Sequence, residues 1–149
     1  MSRPSRGRNL REPETNTTYL LGRAYTHLNQ RIFEGVTTAG YALRPAHAAV
    51  FIHIDRAGSR LTHLAERAAM TPQAMGELID DLAERGYVER IPDPVDRRAK
   101  LIVLTDLGFD TLQSAFDTIL GIEAELEAEL GPTGLARFQR ALRAIADDA

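Results

Sequence analysis

The stretch Asp93-Pro94-Val95-Asp96-Arg97-Arg98-Ala99-Lys100-Leu101-Ile102-Val103-Leu104-Thr105 constrains the fold more than any other part of the chain. Its first half is a tip punctuated by Pro and Asp that carries the cations Arg97, Arg98 and Lys100, and its second half reads as a strand. Val88 to Ile91 supplies a partner strand, so the two form a hairpin with a basic turn. Immediately upstream, Leu61 to Gly86 reads as two short helices joined by a tight turn. Two helices followed by such a hairpin predict a winged helix-turn-helix.

Local signals set the limits of these elements. Thr71 before Pro72 and Gln73 marks a helix start, because a hydroxyl at the N-cap accepts a backbone N–H and a proline in the first helical position forfeits no hydrogen bond. This helix turns Met75, Leu78, Ile79 and Leu82 inward and stops at Gly86, where a left-handed residue needs no Cβ. Tyr87 and Val88 follow as its apolar lock. In the preceding helix Thr62 is the expected cap, with the helix running from His63 to about Ala68. Pro92 and Pro94 are both expected in the hairpin turn, where neither must donate to the ladder.

Outside this unit the pattern has helical period. From Tyr19 the apolar positions Leu21, Tyr25, Leu28, Ile32 and Val36 recur at three- and four-residue steps, predicting a helix of about twenty residues closed by Gly40. Pro45 opens a second helix that carries Val50, Phe51 and Ile54 and runs to Gly58. Thr105 caps a long helix with Leu107, Leu112, Phe116, Ile119, Leu126 and Leu130 on one side, and Gly131-Pro132 breaks it. A last helix presents Leu135, Phe138, Leu142 and Ile145.

The chain therefore divides into an N-terminal arm (1–18), dimerisation helices (19–42 and 106–149) and a winged helix-turn-helix unit (43–105). The first and last helices each have one oily side, and the central unit offers little surface to cover both. A two-fold dimer is the economical solution, with Leu21, Leu28, Leu126, Leu135, Phe138, Leu142 and Ile145 at its interface.

Composition narrows the setting. There is no cysteine, which excludes a disulfide framework, a thiolate zinc site and a thiol redox switch. No apolar run approaches the roughly 18 residues of a membrane span, and the N-terminus lacks the apolar core of a signal peptide, so a cytoplasmic location is expected. A net charge of −3 and a pI near 5.8 argue on average against a polyanionic partner, since phosphate neutralisation supplies much of the affinity for one. The charges are segregated, however. Cations gather in the arm (Arg3, Arg6, Arg8, Arg11) and in the hairpin, whereas Asp106 to Ala136 holds seven acids and no Lys or Arg. One face suits phosphate and another avoids it. The arm, with Leu10 its single large apolar residue, cannot offset its ordering entropy by burial.

The segments Leu61-Thr62-x-Leu64-Ala65, Leu78-x-x-x-Leu82-x-x-x-Gly86-Tyr87-Val88-x-Arg90, Asp93-Pro94-x-Asp96-Arg97-Arg98 and Leu104-Thr105-x-x-Gly108 follow one another in an order that resembles the MarR family of bacterial transcriptional regulators. The motifs cover residues 43–108, and helix order extends the likeness over 19–146. The resemblance implies a mainly α winged helix-turn-helix of about six helices plus a β-hairpin wing. It also implies a homodimeric, ligand-responsive DNA-binding regulator, a repressor, acting on a pseudo-palindromic operator. By position, the helix from Pro72 enters the major groove, where Gln73 can pair bidentately with adenine, Ala74 can touch a thymine methyl and Thr71 can bond a phosphate. In the minor groove Arg97 or Arg98 inserts, Asp96 holds the wing by pairing with Arg98, and Arg60 and Lys100 contact phosphate. The resemblance further implies a crevice for a small aromatic or phenolic effector, faced by Tyr25, His47 and Phe51, with Arg44 meeting a carboxylate. No cofactor is implied.

Other classes find less support. His27, His47, His53 and His63 include no pair at the i, i+4 spacing that sets two imidazoles together on a helix, so no metal site is expected and His63 reads as a phosphate neighbour. No Gly-rich phosphate loop, Gly-x-Ser-x-Gly elbow or His/carboxylate cluster marks an enzyme. Glu123, Glu125, Glu127 and Glu129 alternate, which spreads them around a helix. The alternative of another class is a winged-helix protein-interaction module without DNA binding, motivated by the acidic pI alone.

Overall fold

The computed structural model describes residues 16–147. Helix α1 (Thr17–Thr38) leads through a 3-10 turn (Pro45–His47) to α2 (Ala48–His53), α3 (Leu61–Arg67) and α4 (Pro72–Glu84). An antiparallel hairpin, β1 (Val88–Pro92) and β2 (Lys100–Leu104), separates these from α5 (Asp106–Asp147). Gly131, at φ 70° and ψ 161°, breaks α5 into two limbs, 106–130 and 132–147. The architecture is the mainly α winged helix-turn-helix that the sequence predicts.

Several boundaries move for identifiable reasons. The Asn16 side chain accepts the Tyr19 N–H at 2.9 Å, so α1 opens at Thr17, inside what reads as the arm. The arm's cations Arg3, Arg6, Arg8 and Arg11 lie outside the described residues. Helix α2 ends at His53, short of Gly58, because Ile54 is extended (φ −76°, ψ 131°). Thr62 is not the cap of α3: the helix begins at Leu61, and Arg60 holds the N-cap position with no side-chain capping bond. Its entry is set by the sheet instead, through Ser59 N–H to Ile102 O (3.0 Å) and Ile102 N–H to Ser59 O (2.8 Å). Pro92 ends β1 opposite Lys100 and so belongs to the strand and not to the turn.

The winged unit has its own core. Met75, Leu78, Ile79 and Leu82 of α4 are buried against Val50, Leu64, Ala65, Tyr87, Val88, Ile102 and Leu104. Each large apolar side chain fully buried in this way contributes about 1.5–3 kcal/mol. Gly86, at φ 81°, turns the chain from α4 into β1, a conformation that costs an L side chain strain. Gly108 permits a close approach: a Cβ there would lie 2.2 Å from the Tyr87 carbonyl oxygen. Thr105 Oγ1 accepts the Gly108 N–H (3.2 Å) and donates to Gly86 O (2.6 Å), capping α5 and tying it to the end of α4.

Helices α1 and α5 pack on each other within one chain, burying Val36 and Ile122. An ion pair, Arg31 to Glu125 at 2.8 Å, lies on the same junction. This corrects the expectation that both oily stripes await a partner, since part of each is covered internally. Leu135, only 8% exposed, likewise has little surface left to offer. Leu21, Leu28, Leu126 and Leu142 are half-buried, and Phe138 and Ile145 are exposed.

Candidate nucleic-acid interface

The wing is held from its base. Asp93, 5% exposed, stands where β1 ends. Its Oδ2 accepts from Arg60 Nε (2.8 Å) and Nη2 (2.6 Å), and its Oδ1 accepts the Val95 N–H at 2.8 Å. The Val95 N–H and then the Arg60 guanidinium hold this carboxyl below the usual carboxylate range. Beyond it the loop closes through Asp93 N–H to Ala99 O (3.0 Å) and Ala99 N–H to Asp96 O (2.9 Å). Asp96 does position the turn, but by accepting the backbone N–H of Arg98 (3.1 Å) and not its guanidinium.

Two residues singled out in the sequence have partners here that the sequence does not show. Arg60, expected to contact phosphate, also anchors the wing: its pair with Asp93 ties the start of α3 to the end of β1. Asp93, not Asp96, is the chief anchoring carboxylate. Its signal in the sequence was the Asp-Pro step, since an aspartate that accepts the N–H two residues on makes an Asx turn. Among the described residues Arg97, Arg98 and Lys100 are exposed and enter no ion pair. Val95, at 91% exposure, stands with them at the tip.

The start of α4 is equally well defined. Thr71 Oγ1 accepts the Ala74 N–H at 3.1 Å, and Met75 N–H reaches Thr71 O at 3.0 Å. Pro72 has no N–H to satisfy. The Gln73 N–H is thus the first-turn donor without a partner among the described residues, and the Thr71, Pro72 and Gln73 side chains are exposed. Ala74 is half-buried. Two shallow grooves join this end to the wing. One, of about 370 Å³, is lined by Arg60, Leu61, Thr62, Arg90, Ala99, Lys100 and Ile102. The other, of about 400 Å³, is lined by Thr62, His63, Ala65, Glu66, Met70 and Pro72. Thr62 lines both, so the start of α4, the exposed His63 and the basic base of the wing share one continuous surface. Arg90, a motif residue to which the sequence gives no role, lines the groove and donates to Asp80 of α4 at 2.6 Å.

The residues read as an effector crevice are placed differently. His47 is fully buried, with Nδ1 accepting the Arg44 N–H (3.0 Å) and Nε2 2.8 Å from Asp81 Oδ2. Since Nδ1 accepts, Nε2 carries the proton of a neutral ring. Burial pushes its pKa below the ordinary imidazole value, outweighing the raising effect of Asp81. The Arg44 guanidinium binds the same carboxylate. Phe51 packs edge-on to Tyr87, with ring centroids 6.4 Å apart at 80°. Tyr25 is 65% exposed on α1. Arg44 and His47 are brought together on Asp81. Among the described residues no group of three or more His, Cys, Asp or Glu could hold a metal ion, and no helix is long and apolar enough to cross a membrane.

Two helices in sequence, the second capped and bare at its start, and a pinned basic hairpin beside them define a winged helix-turn-helix. A family model described as the MarR family matches residues 43–99, the same unit. An HTH-type transcriptional regulator of Mycobacterium bovis is 35% identical, over 38% of this chain and 48% of that protein. The chain spans about half the length of the curated relatives it matches. Among solved structures, the transcriptional repressor CouR bound to a 23-mer DNA duplex superposes with a TM-score of 0.70 and 26% identity, covering 88% of this chain and 92% of that one. Wild-type MarR from E. coli, in its apo form, shares the fold at a TM-score of 0.70 and 20% identity, covering 90% of this chain and 98% of that one. Over residues 43–99 the chain is similar to the MarR family, and its fold is that of the CouR and MarR structures.

Proposed function

We propose that this protein is a homodimeric transcriptional regulator, a repressor, that binds a pseudo-palindromic DNA operator and releases it on binding a small effector. One observation carries the reading: Arg97, Arg98 and Lys100 stand exposed and, among the described residues, without ion pairs, on a wing whose Asp93 is engaged by Arg60 and whose Asp96 accepts the Arg98 backbone N–H, on a surface continuous with the bare start of α4. Cations left free in this way are available to phosphates, and their counterion release supplies the affinity. In this reading α4 lies in the major groove with Thr71, Pro72, Gln73 and Ala74 foremost, and the wing lies in the minor groove. The DNA-bound CouR neighbour supports it.

The dimer rests on apolar side chains left bare in one chain, among them Tyr19 and Leu20 at the start of α1 and Phe138 and Ile145 on the last limb of α5. Two copies would set their α4 helices about one DNA turn apart. The effector is proposed as a small aromatic or phenolic acid by family likeness, and at Arg44 and His47 it would have to compete with Asp81, which engages both side chains. A mobility-shift assay with the gene's own upstream duplex, run at several salt concentrations, tests the proposal. Binding that weakens steeply with salt is expected. No shift at low salt with any duplex would leave the protein-interaction module as the better reading.

A further inference from the structure

The six residues 39–44 that leave α1 for the winged unit are fastened to the far half of α4 and to β1, and the fastening converges on one side chain. Asp81 Oδ2 binds the Arg44 guanidinium and His47 Nε2, while its Oδ1 accepts from Arg85 Nε one turn further along α4, at 2.7 Å. Arg85 Nη1 in turn donates to the carbonyl oxygen of Ala42 (3.1 Å), and the Ala42 N–H donates to the Tyr87 hydroxyl (2.9 Å). Both backbone groups of Ala42 are therefore held by the segment that closes α4 and opens β1.

We propose that Asp81 is a positioning residue that locks the tilt of α4 to the link from α1, so that a displacement of α1 is passed to the end of α4 that meets DNA. The functional part of this claim rests on the DNA-binding reading above. The lever is simple: Asp81 lies eight residues from Gln73, about 12 Å along a helix at 1.5 Å per residue. A rotation of about 10° at Asp81 would then move the α4 tip by about 2 Å, enough to spoil hydrogen bonds to base edges. Apolar packing reaches the link through Tyr41 and Leu43, which lie against the core that holds Met75, Leu78, Ile79 and Leu82, and the Asp81 bonds add a directional restraint on the polar side of the same junction. The fold is expected to survive removal of the Asp81 charge, because the apolar core beneath α4 is unchanged and the Asp81 side chain is 22% exposed.

The test uses the full chain with Asp81→Asn, which keeps side-chain size and removes the charge, and separately with Arg44→Gln, which removes the guanidinium. Because the chain has no cysteine, dyes can be placed through Thr26→Cys on α1 and Glu77→Cys on α4 and their separation read by single-molecule energy transfer, without DNA and with excess unlabelled protein. A narrow distribution is expected for the parent chain, and a broadened or shifted one for both variants, with circular dichroism unchanged. On a duplex selected by the parent protein, affinity should fall about tenfold or more. The salt dependence should stay the same, because no phosphate contact is lost, while the preference for one half-site spacing should relax. Arg44→Lys, which keeps the cation, should recover much of both effects. An unaltered distance distribution in Asp81→Asn overturns the inference whatever the DNA result. If the distance changes but the parent chain binds no duplex, the DNA-binding reading fails and the lock itself stands.

Discussion

Thr71 offers a substitution whose effects on stability and on DNA binding should have opposite signs. Its hydroxyl caps α4 by accepting the Ala74 N–H at 3.1 Å, and it stands exposed where a phosphate is proposed to lie. Thr71→Ala removes the cap. An N-cap threonine contributes about 1 kcal/mol, with a range of about 0.5–2, and since Pro72 presents no N–H, only the Ala74 donor loses its partner. In a chain of this size that lowers the melting temperature by about 2–4 °C. Thr71→Asp restores the cap and adds a negative charge at the positive end of the helix, an interaction worth about 0.3–1 kcal/mol. The variant should therefore melt at or above the parent temperature. A carboxylate about 5 Å from a phosphate is repelled by about 1–3 kcal/mol at effective dielectric constants of 80 to 20, so operator affinity should fall by about fivefold to more than a hundredfold. Fluorescence anisotropy with a labelled duplex, paired with a thermal melt, reads both quantities. If Thr71→Asp binds the duplex as tightly as the parent, the start of α4 does not face phosphate and the proposed docking is wrong.

Four further expectations follow from the same geometry. Arg97→Ala or Arg98→Ala should weaken binding to every duplex and reduce the slope of log affinity against log salt by about 0.9 if the lost cation met a phosphate, whereas Gln73→Ala should relax preference at a single base pair. Asp93→Asn should loosen the wing, visible as faster hydrogen exchange at the Val95 amide, and should lower affinity with the salt slope unchanged; normal exchange in that variant would refute the anchor. Phe138→Glu with Ile145→Glu should give monomers by light scattering, and a stable dimer carrying both changes would contradict the proposed interface. His47 is held neutral with its pKa below the ordinary value near 6.5, so the unfolded chain binds the extra proton first. Its contribution to stability is complete above about pH 6.5 and declines as pH falls towards the lowered folded value. Urea midpoints from pH 7.5 to 5.5 should fall in the parent and stay flatter in His47→Asn.

Much of this protein is legible in the residues themselves, because the relevant physics is local. Thr71-Pro72 announced α4, the period of Met75, Leu78, Ile79 and Leu82 its buried face, Gly86 its end and Gly131 the break in α5. Each rests on a backbone N–H, a positive φ or a helical repeat spanning only a few positions. The four motif segments, read in order, were enough to suggest the family. What the sequence left open were the partners of charged side chains, since an ion pair depends on residues far apart in the chain. Arg60 and Asp93 are 33 positions apart and Arg44 and Asp81 are 37. Only the folded chain decides that one arginine pins a wing and another grips α4, while Arg97 and Arg98 pair with no carboxylate among the described residues. Tertiary packing also decides how much of each oily stripe α1 and α5 cover for one another, because periodicity gives the direction of an apolar face and not what lies opposite it.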